Sequence, residues 1–361
     1  GSRALRAAIR DSGGMLPQAL YIGNMLASMV SRQANLGALF TDFTDLGPIE
    51  AYSAEASGAS GAAALRLGYL AILSGYVDTV AVLGVEKWTD LAHSESEAAA
   101  ATGLDYDYES MQGMTEAAQA GLLMQRYLHE HNLPADALSG FALQAHANGA
   151  YNPNAYFKKA IDLETYQRSP RGNAPLNMFD AAPNADGAAA LILTRRGLLP
   201  ADSGKPVVRL LGSAVSTDRL ALHDRSQPLA FDAAKEAVRS ACAQAGIMPI
   251  YTDVFELDDS FAIYAALTLE ACGYAEPGEA PRMARDGLLA PSAKLPAMTM
   301  GGCKARGNPL GAKGVYQAVE AVMQLRGACG PNQVRDARLA LTLALGGPAS
   351  TAVAHVFDRM Q

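Results

Sequence analysis

Hydrophobic positions along this chain fall into helix-length stripes and short β-branched runs that follow one another in turn. Ala62 to Leu73 is apolar or small at nearly every position, Gly75 closes it, and Thr79 to Val85 follows as a buried strand. Ahead of this pair, Ala4 to Ser12 reads as a helix, Ala19 to Ile22 as a strand and Gln33 to Phe40 as a second helix. From Thr89 to about Pro183 the pattern turns polar and irregular, with helices near Thr115 to His129 and Pro134 to Asn148, as expected of a segment that covers one face of a sheet. Regular alternation then resumes: strands Gly187 to Thr194 and Val207 to Val215, helix Ala233 to Ala245, strand Asp253 to Glu256, and helices Phe261 to Cys272 and Gly314 to Arg326. Two strands, Arg338 to Leu345 and Thr351 to Phe357, close the chain. Alternation of this kind predicts an α/β protein.

Two stretches share pattern and spacing. Ala4 to Asn24 and Ala237 to Leu257 each read helix, glycine stop, proline turn, short strand, which predicts an internal duplication. The resulting organisation is an N-terminal half at 1–89, a covering segment that returns to that half at 90–186, a last strand and linker at 187–205, and a C-terminal half at 206–361. A strand at Val207 to Leu211 precedes the repeated unit in the second half, whereas only Gly1 and Ser2 precede Arg3 in the first. The first half thus lacks its opening strand, and the chain reads as part of a longer protein.

Composition narrows the function classes. Of 361 residues 50% are hydrophobic and 18% charged, enough for a large core in two domains or one double-sized unit. The formal charge of −7 carries no basic run, so there is no electrostatic footprint for nucleic acid. No apolar run reaches the ~18 residues that span a bilayer, and the start of the chain has no signal-peptide layout, so a soluble cytoplasmic protein is expected. The four cysteines, Cys242, Cys272, Cys303 and Cys329, have no CxxC spacing, and the six histidines are scattered; His129 and His131 lie in a charged helix end. Neither a metal site nor a disulfide framework is indicated.

The small-residue run Ser57-Gly58-Ala59-Ser60-Gly61 feeds the helix at Ala62. Such a turn aims unpaired backbone N–H groups and the positive end of a helix dipole at one point. A turn built this way commonly carries a nucleophile, and this one has none.

Seven stretches together resemble the thiolase superfamily, in particular its archaeal and sterol-carrier-type members. They are YIGNM at Tyr21, EASGASGAAALRLGYLAI at Glu55, GVEKWTD at Gly84, HANGAYNPNAYF at His146, DAAPNADGAAALIL at Asp180, ELDDSFAIYAALTLEACGY at Glu256 and GGCKARGNPLGAKG at Gly301. The resemblance runs over nearly the whole chain. It implies a five-layered αβαβα sandwich of two duplicated halves with a covering loop domain, assembled as a dimer or tetramer, and chemistry on an acyl-CoA thioester.

Position by position, the resemblance also implies lost reactive groups. Where the family reads EAACASGGAALR, Gly58 stands at the nucleophile. Where it reads HDCF, this chain has Asp258-Asp259-Ser260-Phe261, so Asp258 replaces the oxyanion histidine and Ser260 the cysteine. Where it reads GHP, Asn308 replaces the histidine that activates the thiol, and an HNIGG turn becomes Leu343 to Gly347. Gly58 either lets the turn close or opens volume for a bulkier substrate. Asp258 is the remaining acid/base candidate, with Asp259 pointing the other way as a cap for the helix at Phe261. Ser60 and Ser260 are expected to bond backbone, and Cys303 to pack. Asn308 could orient a water or hold a carbonyl through its amide. His146 is expected at the edge of the covering domain, and Tyr264 and Tyr316 on core helix faces. Lys158 and Lys159 are candidates for the phosphates of CoA, against the alternative of a solvated basic pair.

The leading expectation is a non-thiolytic subunit of a thiolase-type acyltransferase complex. It would bind an acyl-CoA, carry no covalent cofactor or metal, form a homo-oligomer, and pair with an active thiolase subunit or a zinc-ribbon/OB-fold partner. One alternative is an acyl-CoA C–C lyase of retro-aldol type that needs only a base and an oxyanion site. The other is an active acetyl-CoA acetyltransferase whose nucleophile is not recognised.

Overall fold

A computed structural model describes residues 1–199 and 204–360, so within the expected linker residues 200–203 lie outside the described residues. In the first half, helix α1 (Ser2–Asp11) leads into strand β1 (Ala19–Gly23), α2 (Leu36–Thr44) into β2 (Glu50–Ala54), and α3 (Ser60–Ser74) into β3 (Thr79–Glu86). The covering segment carries α4 (His93–Ala100), α5 (Glu116–Glu130) and α6 (Ser139–Gly149) before β4 (Gly187–Thr194). The second half runs through β5 (Val208–Thr217), α7 (Asp232–Ala245), β6 (Val254–Glu256), α8 (Ala262–Ala271), α9 (Gly302–Arg306), α10 (Lys313–Arg326), β7 (Leu339–Gly346) and β8 (Thr351–Arg359).

The strands form two four-stranded sheets, ordered β2-β1-β3-β4 and β5-β8-β7-β6. Within the first, β1 runs parallel to β2 and β3, and β4 turns antiparallel to β3. The second repeats this plan, with β6 parallel to β7 and β8 antiparallel to β7. An isolated parallel bridge from Phe255 to Ala297 occupies the position that β2 holds in the first sheet. Strand β5 lies outside β8, whereas among the described residues the first sheet ends at β4.

Strands buried on both faces read as continuous apolar runs, and β1 and β3 are examples. Tyr21, Val80 and Val82 face inward to Leu65 of α3 and Val315 of α10, while Leu20, Ile22, Ala81 and Leu83 face Leu5 and Leu36 of the outer helices. Gly68 permits the close approach of α3, since a Cβ there would already touch the Val82 and Val80 side chains at 3.0 and 3.1 Å. Helices α3 and α10 form the middle layer between the two sheets, and the chain stacks as the expected five-layered αβαβα sandwich.

Two glycine contacts fix how the middle helices meet. A Cβ on Gly314 would lie 2.4 Å from the backbone nitrogen of Ala62, and one on Gly61 would lie 2.9 Å from the Gly311 carbonyl. The first turns of α3 and α10 are therefore in backbone contact, and their positive dipole ends converge.

Candidate functional site

The turn ahead of α3 is held by short backbone bonds from Ala59 N to Ala56 O and from Ser60 N to Ser57 O, at 3.0 and 3.1 Å. The Ser60 hydroxyl donates to Ser57 O and accepts from Ala56 N, so it is a structural clasp as its sequence context implied. Ser57 sits at φ 50, a left-handed conformation unusual for a residue with a side chain, immediately before Gly58. A Cβ on Gly58 would lie 2.6 Å from Lys313 Nζ and 2.7 Å from Leu345 O. Of the two readings of Gly58, the space is better matched by a small residue that lets the turn close, because the Lys313 ammonium and the Leu345 carbonyl fill the volume that a bulkier substrate would need.

Lys313, the first residue of α10, is buried and pairs with Asp258 Oδ2 at 2.6 Å. It also donates to Ser260 Oγ at 3.2 Å. Asp258 follows β6, is wholly buried, and accepts from Leu345 N and Ser260 N, each at 3.0 Å, and from the Ser260 hydroxyl. Burial alone would raise its carboxyl, but the Lys313 charge and the bonds from Lys313, Ser260 and Leu345 outweigh it and hold the group below its ordinary value. Burial likewise opposes the charge on Lys313, and the Asp258 charge more than restores it, so the lysine stays an ammonium. Four donors around one carboxylate leave it no spare acceptor for proton transfer. Its evident role is to neutralise a cation placed where two helix N-termini meet.

The covering segment adds a second carboxylate. Thr115 caps α5 by accepting from Ala118 N at 3.1 Å, which sets Glu116 at the first helical position. Glu116 is half-buried and accepts no hydrogen bond among the described residues. Burial pushes its carboxyl up to about 7; Lys313 opposes this, and Glu97 and Asp258 add to it. Tyr264 of α8, expected to be a plain core residue, packs its ring against Phe231 and Phe261. Its hydroxyl, however, is buried without a hydrogen-bond partner, within electrostatic reach of Glu116, Asp258 and Arg225.

Other expected residues are placed as follows. Asp259 does not cap the helix at Phe261. Its Oδ2 accepts from Lys304 N at 3.3 Å and its Oδ1 from Cys303 N at 2.5 Å, so it caps α9, because the chain at Gly302 passes directly against its carboxylate. Cys303 is buried, and burial and the Asp259 charge push its thiol above the usual range despite Arg306. Asn308 Oδ1 accepts from Leu310 N at 3.0 Å, while its amide nitrogen makes no hydrogen bond among the described residues. His146 is buried between the rings of Phe157 and Phe179. Tyr316 lies beneath the Arg306 guanidinium at 4.9 Å. Lys158 and Lys159 are exposed just beyond Phe157.

Sequence reasoning did not single out Lys313 or Glu116. A usable signal existed for Lys313: a lysine at the first position of a helix opposes the dipole, and it sits in a run of small residues, GAKG.

A cavity of about 420 Å³ is lined by Thr89, Leu91, His93, Ser96, Tyr156, Asn184, Ala185 and Asp186. None of these belongs to the Lys313 cluster. The two regions adjoin at Asn308, whose backbone pairs with Asn184. Among the described residues no group of three His, Cys, Asp or Glu side chains is placed to hold a metal, and no helix is long and apolar enough to cross a membrane.

Family profiles described as "Thiolase, N-terminal domain" and "Thiolase C-terminal domain-like" match residues 1–197 and 214–359. The chain is 37% identical to an acetyl-CoA acetyltransferase of Methanothermobacter thermautotrophicus over 98% of this chain and 92% of that protein. It is 28% identical to the benzoylsuccinyl-CoA thiolase subunit BbsB of Thauera aromatica over 95% of this chain and 87% of that one. Among solved structures, an Ltp2-ChsH2(DUF35) aldolase superposes with a TM-score of 0.84 at 22% identity, covering 99% of this chain and 92% of that one. The Acat5 thiolase from Ascaris suum, solved in complex with coenzyme A, superposes at 0.68 and 17% identity with the same coverage.

Proposed function

The chain belongs to the thiolase family, and from that premise we propose that it acts on a coenzyme A thioester by aldol-type cleavage or formation of a carbon–carbon bond, without an acyl-enzyme. The observation that carries this reading is the Lys313 ammonium beside Gly58, where the family resemblance puts a nucleophile. A cation flanked by two helix N-termini cannot attack a thioester, but it can hold the negative charge that forms on the thioester oxygen. In the cleavage direction a base takes the proton of a β-hydroxyl and the Cα–Cβ bond breaks. A carbonyl compound leaves, and the electron pair rests as an enolate until Cα is protonated. No thiol enters. Cys303, the thiol within reach of Lys313, is held protonated by burial, which argues against the acetyltransferase activity named for the archaeal relative.

One fold neighbour that is an aldolase and another that was solved with coenzyme A support this reading. The cavity beside Asn308, with Lys158 and Lys159 just past Tyr156, is the proposed entry for the CoA arm. The Ltp2-ChsH2(DUF35) aldolase is named for two components and BbsB is named as a subunit, which supports a second subunit for this chain as well.

The competing reading is a catalytically silent subunit, favoured by the burial of Asp258, Ser260, Lys313 and Asn308. Against it stands the cost of keeping buried charges, since well-packed apolar residues would serve a disused site as well or better. The two separate by incubating the protein with 3-hydroxyacyl-CoA thioesters, alone and with any co-purifying partner, and following acyl-CoA species by chromatography. Release of a shorter acyl-CoA is expected; no turnover in either preparation would favour the silent subunit.

A further inference from the structure

A second cavity, of about 390 Å³, opens at the end of the second sheet and is lined by Arg209, Arg338, Leu339, Asp358, Arg359 and Met360. It lies at the start of β7, about 20 Å along that strand from Leu345 at ~3.3 Å per residue, so it is separate from the Lys313 cluster. We propose that this cavity binds a phosphate group, free or carried on a small organic molecule. The proposal does not depend on the reaction given above.

Strand register brings the charges together. Arg209 on β5 and Leu339 on β7 each face Asp358 on β8. One step further along, Arg359 N donates to Arg338 O at 2.9 Å, which sets the two arginines opposite each other. Like charges directly opposite in a sheet are destabilising unless something neutralises them.

The nearby carboxylates do not serve. Asp358 accepts Arg209 Nε on Oδ1 at 3.1 Å and Arg209 Nη2 on Oδ2 at 2.7 Å, so both of its oxygens are taken by one guanidinium. Asp253 turns Oδ2 to the backbone N–H groups of Arg338 and Leu339, at 2.8 and 2.9 Å. The guanidiniums of Arg338 and Arg359 make no hydrogen bond or ion pair among the described residues. Three positive charges and one negative thus line this cavity, in a chain whose formal charge is −7.

Phosphate is the anion that fits best. Its oxygens accept the paired N–H donors of a guanidinium fork, and a dianion would relieve the repulsion between two such forks. At ~30 Å³ per water the cavity has room for about a dozen waters, more than a lone phosphate fills. Leu339 and Met360 add an apolar wall, which suits the organic part of a phosphate monoester.

Calorimetric titration of the full chain with inorganic phosphate, adenosine 5′-monophosphate and adenosine tests this, at an ionic strength held constant with chloride so that screening does not vary. Phosphate and the nucleotide should bind and adenosine should not. Tighter binding of the nucleotide identifies an ester as the ligand, and equal binding identifies free phosphate. Arg338→Gln and Arg359→Gln should each weaken binding about 10–100-fold, whereas Lys158→Gln/Lys159→Gln should leave it unchanged. In phosphate-free buffer Arg359→Gln should melt at the wild-type temperature or higher, because one of two opposed charges is gone. Failure of wild type to bind either phosphate compound overturns the proposal, as does undiminished binding by both arginine variants or loss of binding in the lysine variant. A lower melting temperature of Arg359→Gln without phosphate also overturns it, since the guanidinium would then already have a partner within the chain.

Discussion

Lys313 Nζ lies 2.6 Å from Asp258 Oδ2 and 2.6 Å from the point where a side chain on Gly58 would begin. The charge pair and the missing side chain are therefore one feature. A buried pair of this kind is strongly destabilised when half of it is removed, because an uncompensated charge stays in the core. Lys313→Met and Asp258→Leu should each cost about 3–5 kcal/mol of stability, and the double variant much less than their sum. Denaturant unfolding of the four proteins checks this, and additive losses would mean that the two groups do not interact.

Restoring a thiol should not restore thiolase activity. In Gly58→Cys the new Cβ meets the Lys313 ammonium and the Leu345 carbonyl, and Asn308 cannot deprotonate the thiol. The variant is expected to be less stable than wild type and inert in thiolysis of acetoacetyl-CoA. Recovered thiolysis would show that the site can relax around a nucleophile.

Removing the Tyr264 hydroxyl should not cost stability, since it is buried without a partner. Removing an unpaired buried hydroxyl relieves a desolvation cost of about 1–3 kcal/mol, so Tyr264→Phe should unfold at the same temperature as wild type or higher. A loss of melting temperature instead would point to a hydrogen bond for this phenol within the folded chain.

The thiols should be silent. All four cysteines are buried, and burial pushes Cys242 up to about 11 and Cys329 up to about 12. Iodoacetamide should neither label the native protein nor reduce its turnover, and labelling should begin only on unfolding. Rapid native labelling coupled to loss of activity would implicate a thiol in the chemistry.

A buried carboxyl in β6 gives a pH signature. Burial and the Glu320 charge push Glu256 up to about 8 against its bond from Thr299 N, which is 3.1 Å long. The folded state thus keeps a proton that the unfolded chain gives up in the ordinary carboxylate range. The associated stability is present at low pH and is lost as pH rises from about 4.5 to 8. Because Glu86 and Glu116 contribute with the same sign, the informative quantity is the difference between Glu256→Gln and wild type. In melting temperature that difference should grow in favour of the variant as pH rises over this window; a constant difference would contradict it.

Much of the fold was legible because its layers are written in apolar periodicity. Helix α3 and strand β3 were expected at 62–73 and 79–85 and are found at Ser60–Ser74 and Thr79–Glu86. Strand β2, EAYSA, escaped notice because it is an edge strand with exposed Tyr52 and no apolar alternation. The helix expected from Pro134 begins at Ser139, since Pro134 and the residues after it form turns.

The site was legible only as a set of aligned motifs. Gly58, Asp258, Ser260 and Leu345 do converge, yet what joins them is Lys313, which lies within the GGCKARGNPLGAKG stretch but matches none of the reactive positions compared there. Its meaning depends on Gly61 and Gly314 letting two helices touch, and no linear pattern carries that contact. The Tyr264 hydroxyl was hidden for the converse reason. An aromatic residue on a buried helix face reads as core whether or not its polar end finds a partner.

The central claim is chemistry on a CoA thioester without an acyl-enzyme. Intact-protein mass spectrometry after incubation with acetyl-CoA in deuterium oxide tests it most directly, because protein and thioester are read from the same sample. The account predicts an unmodified protein and deuterium in the acetyl group. A protein heavier by one acetyl group would contradict it.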